Sequence, residues 1–455
     1  MSLIKNLFES VERSLFGAIA SGIAGAFQDG ANAKSPSDYQ PGDVTLTDIV
    51  LMSESQDRVY SLMKQCVGFD VYESIMSPVM FAEIVISDSM GLLQSFPIIG
   101  EEYIKLRFST PKLKGEPATF LFRVNSVKDK KVSESTNKIT YTLQCVSAEL
   151  IHNSKQLVNI KESSTADNIV KRIFEEFIPS QKPLKIASTS GILDILVTRY
   201  TPLQAIDYIR QKAISSRYES SSFCFYENRK GFNFITIEQL MEDGAKTIEA
   251  GNSDKIFFFD AARKDDAKNV TTRNILAYNQ MQFADTISQI KSGGLNNQVQ
   301  QFDLITGDVT KVNYTDNEGA DKFKSTSSTS SSGKTTSFTS NHGRTTTVQK
   351  LFPMRSDKPE IDMAGKMSKL RAFAQKLSQN IVQIHIYGDS TINVGDMIEC
   401  RFPAGSDAKD TAGESRLDSG NYLVAKVRHI VLNSDRPQYT QALELIKTDL
   451  QEVTS

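Results

Sequence analysis

Two stretches of this 455-residue chain repeat one pattern of strand and turn. The first runs Ile84-Val85-Ile86-Ser87-Asp88-Ser89, passes through an apolar loop to Ile99-Gly100-Glu101, and continues as Ile104-Lys105-Leu106-Arg107-Phe108 to Pro111. The second runs Ile384-His385-Ile386-Tyr387-Gly388-Asp389-Ser390, a shorter loop, Val394-Gly395-Asp396, then Ile398-Glu399-Cys400-Arg401-Phe402-Pro403. A long loop follows in each, then a strand (FLFRVNSV against YLVAKVRHIV), a connection and a closing strand (YTLQCVSAELI against YTQALELI). Such a repeat constrains the fold strongly. It predicts two copies of one small β-barrel or sandwich in a single chain, separated by whatever lies between them. Two similar units per chain also restrict symmetry: three chains about an axis would present six near-equivalent units, a pseudo-sixfold ring with threefold exact symmetry.

The rest of the chain divides around this repeat. Residues 3–27 place Leu3, Leu7, Val11, Leu15, Ile19, Ile23 and Phe27 at four-residue intervals, one apolar stripe of a helix, and residues 28–41 read as linker. Residues 42–152 alternate as strands and make the first β unit. Residues 153–265 form an α/β insertion. One helix is predicted over Thr165–Phe177, with Ile169, Ile173 and Phe177 on one face. A second opens at Thr201 as N-cap, with Pro202 in the first helical position and Gln204 completing a capping box. SFCFYENRKGFNFITI then alternates into and out of a turn at Asn228–Gly231, a β-hairpin. Residues 266–320 supply the first strands of the second β unit, including a hairpin with Thr306-Gly307-Asp308 at its tip. Residues 321–350 hold 16 Ser or Thr and cannot bury enough surface to fold alone. Residues 351–455 hold an amphipathic helix (Met363, Met367, Leu370, Ala374, Leu377) and the remainder of the second unit.

Composition narrows the function. A net charge of −2 with no basic block leaves no footprint for specific nucleic-acid binding. Cys66, Cys145, Cys224 and Cys400 are far apart, without a CxxC pair or a Cys/His cluster, which fits a reducing compartment and points to no metal and no cofactor. No apolar run reaches the ~18 residues of a bilayer span, so membrane contact is not expected.

Two pieces of catalytic chemistry fail their own requirements. Gly388-Asp389-Ser390 resembles the nucleophile turn of Gly-Asp-Ser esterases, but such a serine needs an imidazole base oriented by a carboxylate. The one downstream histidine, His429, follows Lys426 where that family's Asp-x-x-His has Asp. Asp88, Glu101 and Glu102 are expected to be exposed acids flanking turns, not the paired carboxylates of a glycosidase cleft.

With these residues in view, the chain resembles the central baseplate hub proteins of contractile-tailed bacteriophages, and the hub-like N-terminal half of the valine-glycine-repeat spike proteins of type VI secretion. The resemblance covers nearly all of residues 40–448. YGDSTINVGDMIECRFP and SGNYLVAKVRHIVL…YTQALELIKT carry it most specifically, supported by TPLQAIDYIRQKA…FCFYENRKGFNF and GGLNNQVQQFDLITGDVTKVNY. It implies a mainly β, α+β chain with two tube-type β-barrel domains and an α/β insertion. It implies a non-enzymatic homotrimer in the virion tail baseplate, assembled in the host bacterial cytoplasm, whose ring adapts a sixfold tail tube or tube initiator to a trimeric central spike. Tape measure and baseplate wedge proteins are its further expected neighbours. The Ser/Thr-rich insertion and the N-terminal helix have no counterpart in that pattern. The expected contact residues are Leu92, Leu93, Phe96 and Ile98 in the first loop, and Leu15, Ile19 and Ile23 on the N-terminal helix. The alternatives are a hydrolase using Ser390, or a membrane-active tail-tip protein acting through residues 3–27.

Overall fold

A computed structural model describes residues 40–447 apart from 55–57, 97, 111–116, 133–137, 219, 250–254, 260–271, 284–286, 288–295, 304–306, 308, 316–343, 351–364, 366–369, 371–372, 375–376, 379, 404–414 and 416–417. The fold is mainly β with a helical minority, an α+β chain built on large antiparallel sheets. The first β-rich stretch holds β1 (Thr45–Met52), β2 (Val59–Ser61), β3 (Cys66–Ser74), β4 (Phe81–Asp88), β5 (Tyr103–Ser109), β6 (Ala118–Val132) and β7 (Ile139–Val146), with a one-turn helix α1 (Leu92–Ser95) after β4. The insertion holds α2 (Ala148–Ser154), β8 (Val158–Ser164), α3 (Ala166–Phe177), β9 (Leu184–Ile186), β10 (Leu193–Tyr200), α4 (Pro202–Arg210), β11 (Phe223–Asn228), β12 (Gly231–Thr236) and α5 (Ile237–Glu249). The last stretch holds β13 (Ile256–Phe258), β14 (Ile275–Phe283), β15 (Asn296–Asp303), β16 (Val309–Thr315), β17 (Arg344–Lys350), β18 (Asn380–Tyr387), β19 (Met397–Arg401), β20 (Gly420–Leu432) and β21 (Gln438–Lys447).

The repeat read from sequence is a repeat of topology. In both copies the first strand pairs with the fourth, the fourth with the third and the third with the second, giving β4-β7-β6-β5 and β18-β21-β20-β19, all antiparallel. Registers match as well: Ile84 faces Leu143 and Ile384 faces Leu443, and a bulge follows Val124 in one copy and Val424 in the other. The likeness extends one strand further than the sequence showed. β3 lies on β4 as β14 lies on β18, each with a register shift after its first rung, Cys66/Gly68 and Ile275/Ala277.

Each array closes over its own core. In the first, Ile49, Val71, Ile84, Ile86, Leu106, Phe108, Phe122 and Leu143 are buried. In the second, Ile384, Ile386, Ile398, Val424, Leu443 and Leu445 are buried together with Tyr226, Leu240, Met241 and Phe257 from the insertion and its exit. Each such side chain contributes about 1.5–3 kcal/mol relative to exposure. The insertion has a third core, where α3 presents Ile169, Val170, Ile173 and Phe174, and α4 presents Leu203, Ile206 and Ile209. Thr201 and Gln204 make the predicted capping box, and β11 pairs β12 from Phe223↔Thr236 to Asn228↔Gly231. The sequence reading did not include α5, whose Gly244 lies so close to β19 that a Cβ there would meet Met397 Cγ at 2.2 Å.

Three expectations are revised. The acid equivalent to Asp396 is Glu102, not Glu101: both carbonyls accept the matching valine amide (Val124, 2.9 Å; Val424, 2.9 Å), and both carboxylates accept the amide three residues back. Asp88 and Glu102 are buried, not exposed, because each satisfies two loop amides: Met90 and Leu92 for Asp88, Ile99 and Gly100 for Glu102. β15 and β16, placed by sequence in the second β unit, pair with each other and with β17 as a separate sheet, whereas β14 joins the main one. β17 lies at the end of the Ser/Thr-rich tract, where Thr345, Thr346 and Thr347 give it strand propensity and β15 supplies the ladder. Of the predicted helix, Leu370, Ala374 and Leu377 are helical, with Leu377 in the second core; Met363 and Met367 lie outside the described residues.

Candidate assembly surface

The two arrays are parts of one sheet. β20 is long enough to have two neighbours along one edge: residues 420–423 pair with β19, and residues 426–432 pair with β3 of the first array. The register runs Lys426↔Ser74 to Leu432↔Gly68. Beyond the bulge at Val424 the strand passes from one core to the other: Val427 is still in the second core, and Val431, with Tyr439 opposite it, is in the first. The Tyr439 ring meets Phe108 at 5.1 Å between centroids.

The seam is lined by buried polar groups, and among them Glu73 Oε1 and His429 Nε2 face each other without a hydrogen bond. His429 Nδ1 and the Tyr439 hydroxyl share a hydrogen bond of 2.7 Å, and its Nε2 lies 3.4 Å from Glu73 Oε1. Gln441 reaches His429 Nδ1 at 3.3 Å and accepts the Asp389 amide at 2.9 Å. Burial holds the Tyr439 phenol far above its usual pKa, so it stays protonated. Arg428 Nη2 donates to Asp70 at 2.8 Å across the seam; burial raises the Asp70 carboxyl above its ordinary value, and Arg428 opposes that rise.

This geometry disposes of the serine nucleophile. Ser390 is 5% exposed, and its Oγ is bonded to Thr110 Oγ1 at 2.9 Å, while His429 Nδ1 is taken by Tyr439 and Gln441 and its Nε2 faces Glu73. The Gly-Asp-Ser string has structural reasons instead. A Cβ on Gly388 would meet Tyr439 Cδ1 at 1.9 Å. Asp389 accepts from the Thr391 amide and pairs with Arg273 at 2.6 Å. Asp88 accepts from Met90 in the same i+2 pattern, an Asx turn at the equivalent corner.

The first-copy loop is longer: thirteen residues lie between Asp88 and Glu102, and six between Asp389 and Asp396. The extra length folds as α1 and returns to its own array. Leu92 (1% exposed) and Phe96 (8%) are in the first core, with Leu93 and Ile98 packed against it. The loop instead presents Met90 and Ile99, at 72% and 74% exposed, two residues the sequence reading passed over. Gly91 in the left-handed region (φ 72) turns the chain so that Met90 points out while Leu92 points in. Leu15, Ile19 and Ile23 lie outside the described residues.

Among the described residues no group of three or more His, Cys, Asp or Glu could hold a metal ion, and no helix is long and apolar enough to cross a membrane. The four cysteines are free and buried; burial pushes the Cys66 thiol up to about 12 and the Cys224 thiol to about 11.

No protein-family profile and no curated protein matches the chain. Solved structures do. A tail protein from Neisseria meningitidis MC58 aligns with TM-score 0.52 and 10% identity over 89% of this chain and 97% of its own. The 43 kDa tail protein of prophage MuSo2 from Shewanella oneidensis aligns with TM-score 0.52 and 10% identity over 89% of this chain and all of its own. The chain shares its fold with these two tail proteins. A Francisella PdpA–VgrG complex aligns more loosely, with TM-score 0.46 and 9% identity, over 91% of this chain and 54% of that one. At such identities strand order and chain path are shared and side chains are not.

Proposed function

We propose that this chain is the central hub of a contractile-tail baseplate: a homotrimer whose six barrel-like arrays form a pseudo-sixfold ring between a sixfold tail tube and a threefold spike. The observation that carries this reading is the pair of arrays with one strand order and one register, joined by β20 and β3 into a single sheet. A duplicated unit offers two near-equivalent faces per chain, which suits a partner of doubled symmetry. The phage-tail fold and the absence of a nucleophile–base pair at Ser390 support a structural role. Tube, spike, tape measure and wedge proteins are the partners this role requires, and the assembled virion tail is its location.

Light scattering and symmetry-free particle averaging of the purified full chain test the reading. A trimeric ring with six similar lobes is expected; a stable monomer at virion-like concentration and ionic strength overturns it. Replacing the exposed loop residues Met90 and Ile99 by Ser should impair tail formation and leave thermal stability unchanged, since neither is in the core.

A further inference from the structure

Between the insertion and the short loop of the second array lies an open cleft of about 380 Å³, within the range of ligand-binding clefts. One wall is a row across the three-stranded sheet of the insertion: Tyr226 on β11 pairs with Asn233 on β12, and Asn233 with Lys185 on β9. Strand alternation puts these three on the face opposite Phe225, Phe232 and Phe234, which fill the third core. The second wall is α5, with Leu240 and Asp243, and the third is the stretch Asn393–Met397. That third wall is fixed in place. Lys255 Nζ donates to Asp396 at 2.8 Å and to the Thr391 carbonyl at 3.3 Å, and the Gly395 amide donates to the Val424 carbonyl at 2.9 Å.

The chemistry of the walls points to a ligand. Tyr226 is 2% exposed, yet its hydroxyl makes no hydrogen bond among the described residues, although a buried tyrosine ordinarily finds a partner. A Cβ on Gly395 would come within 2.4 Å of that hydroxyl, so glycine there leaves it room at the cleft wall. Burial holds the phenol above its usual pKa, which keeps it a donor. Lys185 and Lys230 are exposed and form no ion pair among the described residues. Of the two acids that line the cleft, Asp396 is held by Lys255, and only Asp243 opposes those lysines. The floor is apolar, made by Leu240, Val394 and Met397. Among the described residues no His, Cys or Ser lines the cleft, so it offers neither an imidazole base nor a serine or thiol nucleophile.

We propose that this cleft binds an acidic peptide segment of a partner protein, one that carries an aliphatic side chain beside a carboxylate. The carboxylate pairs with Lys185 and Lys230, the aliphatic side chain rests on Leu240, Val394 and Met397, and a main-chain carbonyl accepts from Tyr226. Lysine suits such a site, because a compact ammonium on a flexible stem meets a carboxylate without demanding one geometry. A nucleic-acid strand would satisfy the lysines alone. The apolar floor would go unused, and neither Tyr226 nor Phe232 exposes a ring face on which a base could stack. The cleft lies within one chain, so this binding does not depend on a trimer.

The test is fluorescence anisotropy of the full chain with a labelled, end-capped hexapeptide of alternating glutamate and leucine at low ionic strength. Saturable binding is expected, weakened at least about tenfold by Lys185→Glu with Lys230→Glu. The control pair Lys161→Glu with Lys171→Glu, exposed elsewhere on the insertion, should leave it unchanged. All four lysines are exposed, so neither pair should move the melting temperature. Replacing leucine by glycine in the peptide should weaken binding at least about tenfold, through lost apolar burial. Tyr226→Phe keeps the ring in the core and should weaken it about threefold. No saturable binding, an equal loss in the control pair, or equal binding of the glycine peptide or of a thymidine hexanucleotide overturns the proposal. A monomer that binds the peptide keeps this proposal and overturns the hub reading; a trimer that does not bind it keeps the hub reading alone.

Discussion

The two arrays share a backbone plan and cover their cores by different means. The second is covered by the insertion: Tyr226 of the hairpin, Leu240 and Met241 of α5, and Phe257 of β13 lie in its core. Among the described residues the first core holds no side chain of the insertion, and its longer loop folds Leu92 and Phe96 over the core instead. The loop between the first two strands is therefore free to be short in one copy because another element does its work. In the short copy Gly395 adopts φ 88, and a Cβ there would meet the Tyr226 hydroxyl at 2.4 Å. Duplicated units thus diverge first where their surroundings differ, and the insertion at 90–99 is first of all a lid on its own array.

If lid and insertion play equivalent parts, truncating either should cost a similar amount. Removing the charge that faces buried Glu227 is expected to have the largest effect. Its carboxylate is fully buried where the insertion meets the first array, held by Lys182, the Ser147 hydroxyl and the Met80 amide. Burial raises its pKa, opposed by Lys182. Lys182→Met leaves that carboxylate uncompensated and should destabilise by about 3–5 kcal/mol in denaturant titration. Next come Leu92→Ala in the lid and Met241→Ala in α5, each about 2–5 kcal/mol and each expected to lower the same cooperative transition. If Leu92→Ala proves neutral, the lid is an ornament and the comparison fails. Gly244→Val would force α5 away from Met397 and should cost about 1–3 kcal/mol, with no equivalent position in the first array.

The smallest effect is one of pH. Burial foremost, and then Arg428, lower the His385 pKa below its ordinary 6.5. A lowered histidine pKa means that the folded chain prefers the neutral ring. Stability is then complete above pH 6.5 and falls as pH drops from there toward the folded-state pKa. His385→Gln should flatten melting temperature against pH in that window and leave it unchanged at pH 8.

How much was legible in the sequence differs between elements. Hairpin β11–β12, helix α3 and the capping box of α4 were readable because each rests on contacts a few residues apart. The four-strand repeat was readable because its copies kept apolar alternation and turn residues. Its extension to β3 and β14 was not, since CVGFDVYES and ILAYNQMQF share almost nothing but the shape of a strand beside a first strand. The acid register slipped by one because Glu101 and Glu102 are the same residue type, and it takes the Val124 and Ile99 amides to tell which one stands in the place of Asp396. The contact residues in the loop were chosen for being apolar, and apolar character cannot say whether a side chain covers its own core or a neighbour's. Gly91 before Leu92 was the available signal, marking where the chain turns inward.

The sequence by itself determined that a β unit occurs twice, with an α/β insertion between, because strand alternation and turn chemistry are local properties. Tertiary structure alone decided which edges are covered. β20 and β6 are equivalent strands, yet Val431 is buried and Val132 is not: β3 lies beside one and no described strand beside the other. Strand pairing is made by backbone groups that every residue carries, so the choice of neighbour leaves only a faint trace in the side chains: VRHIVL where the edge is covered, VKDKKV where it is open.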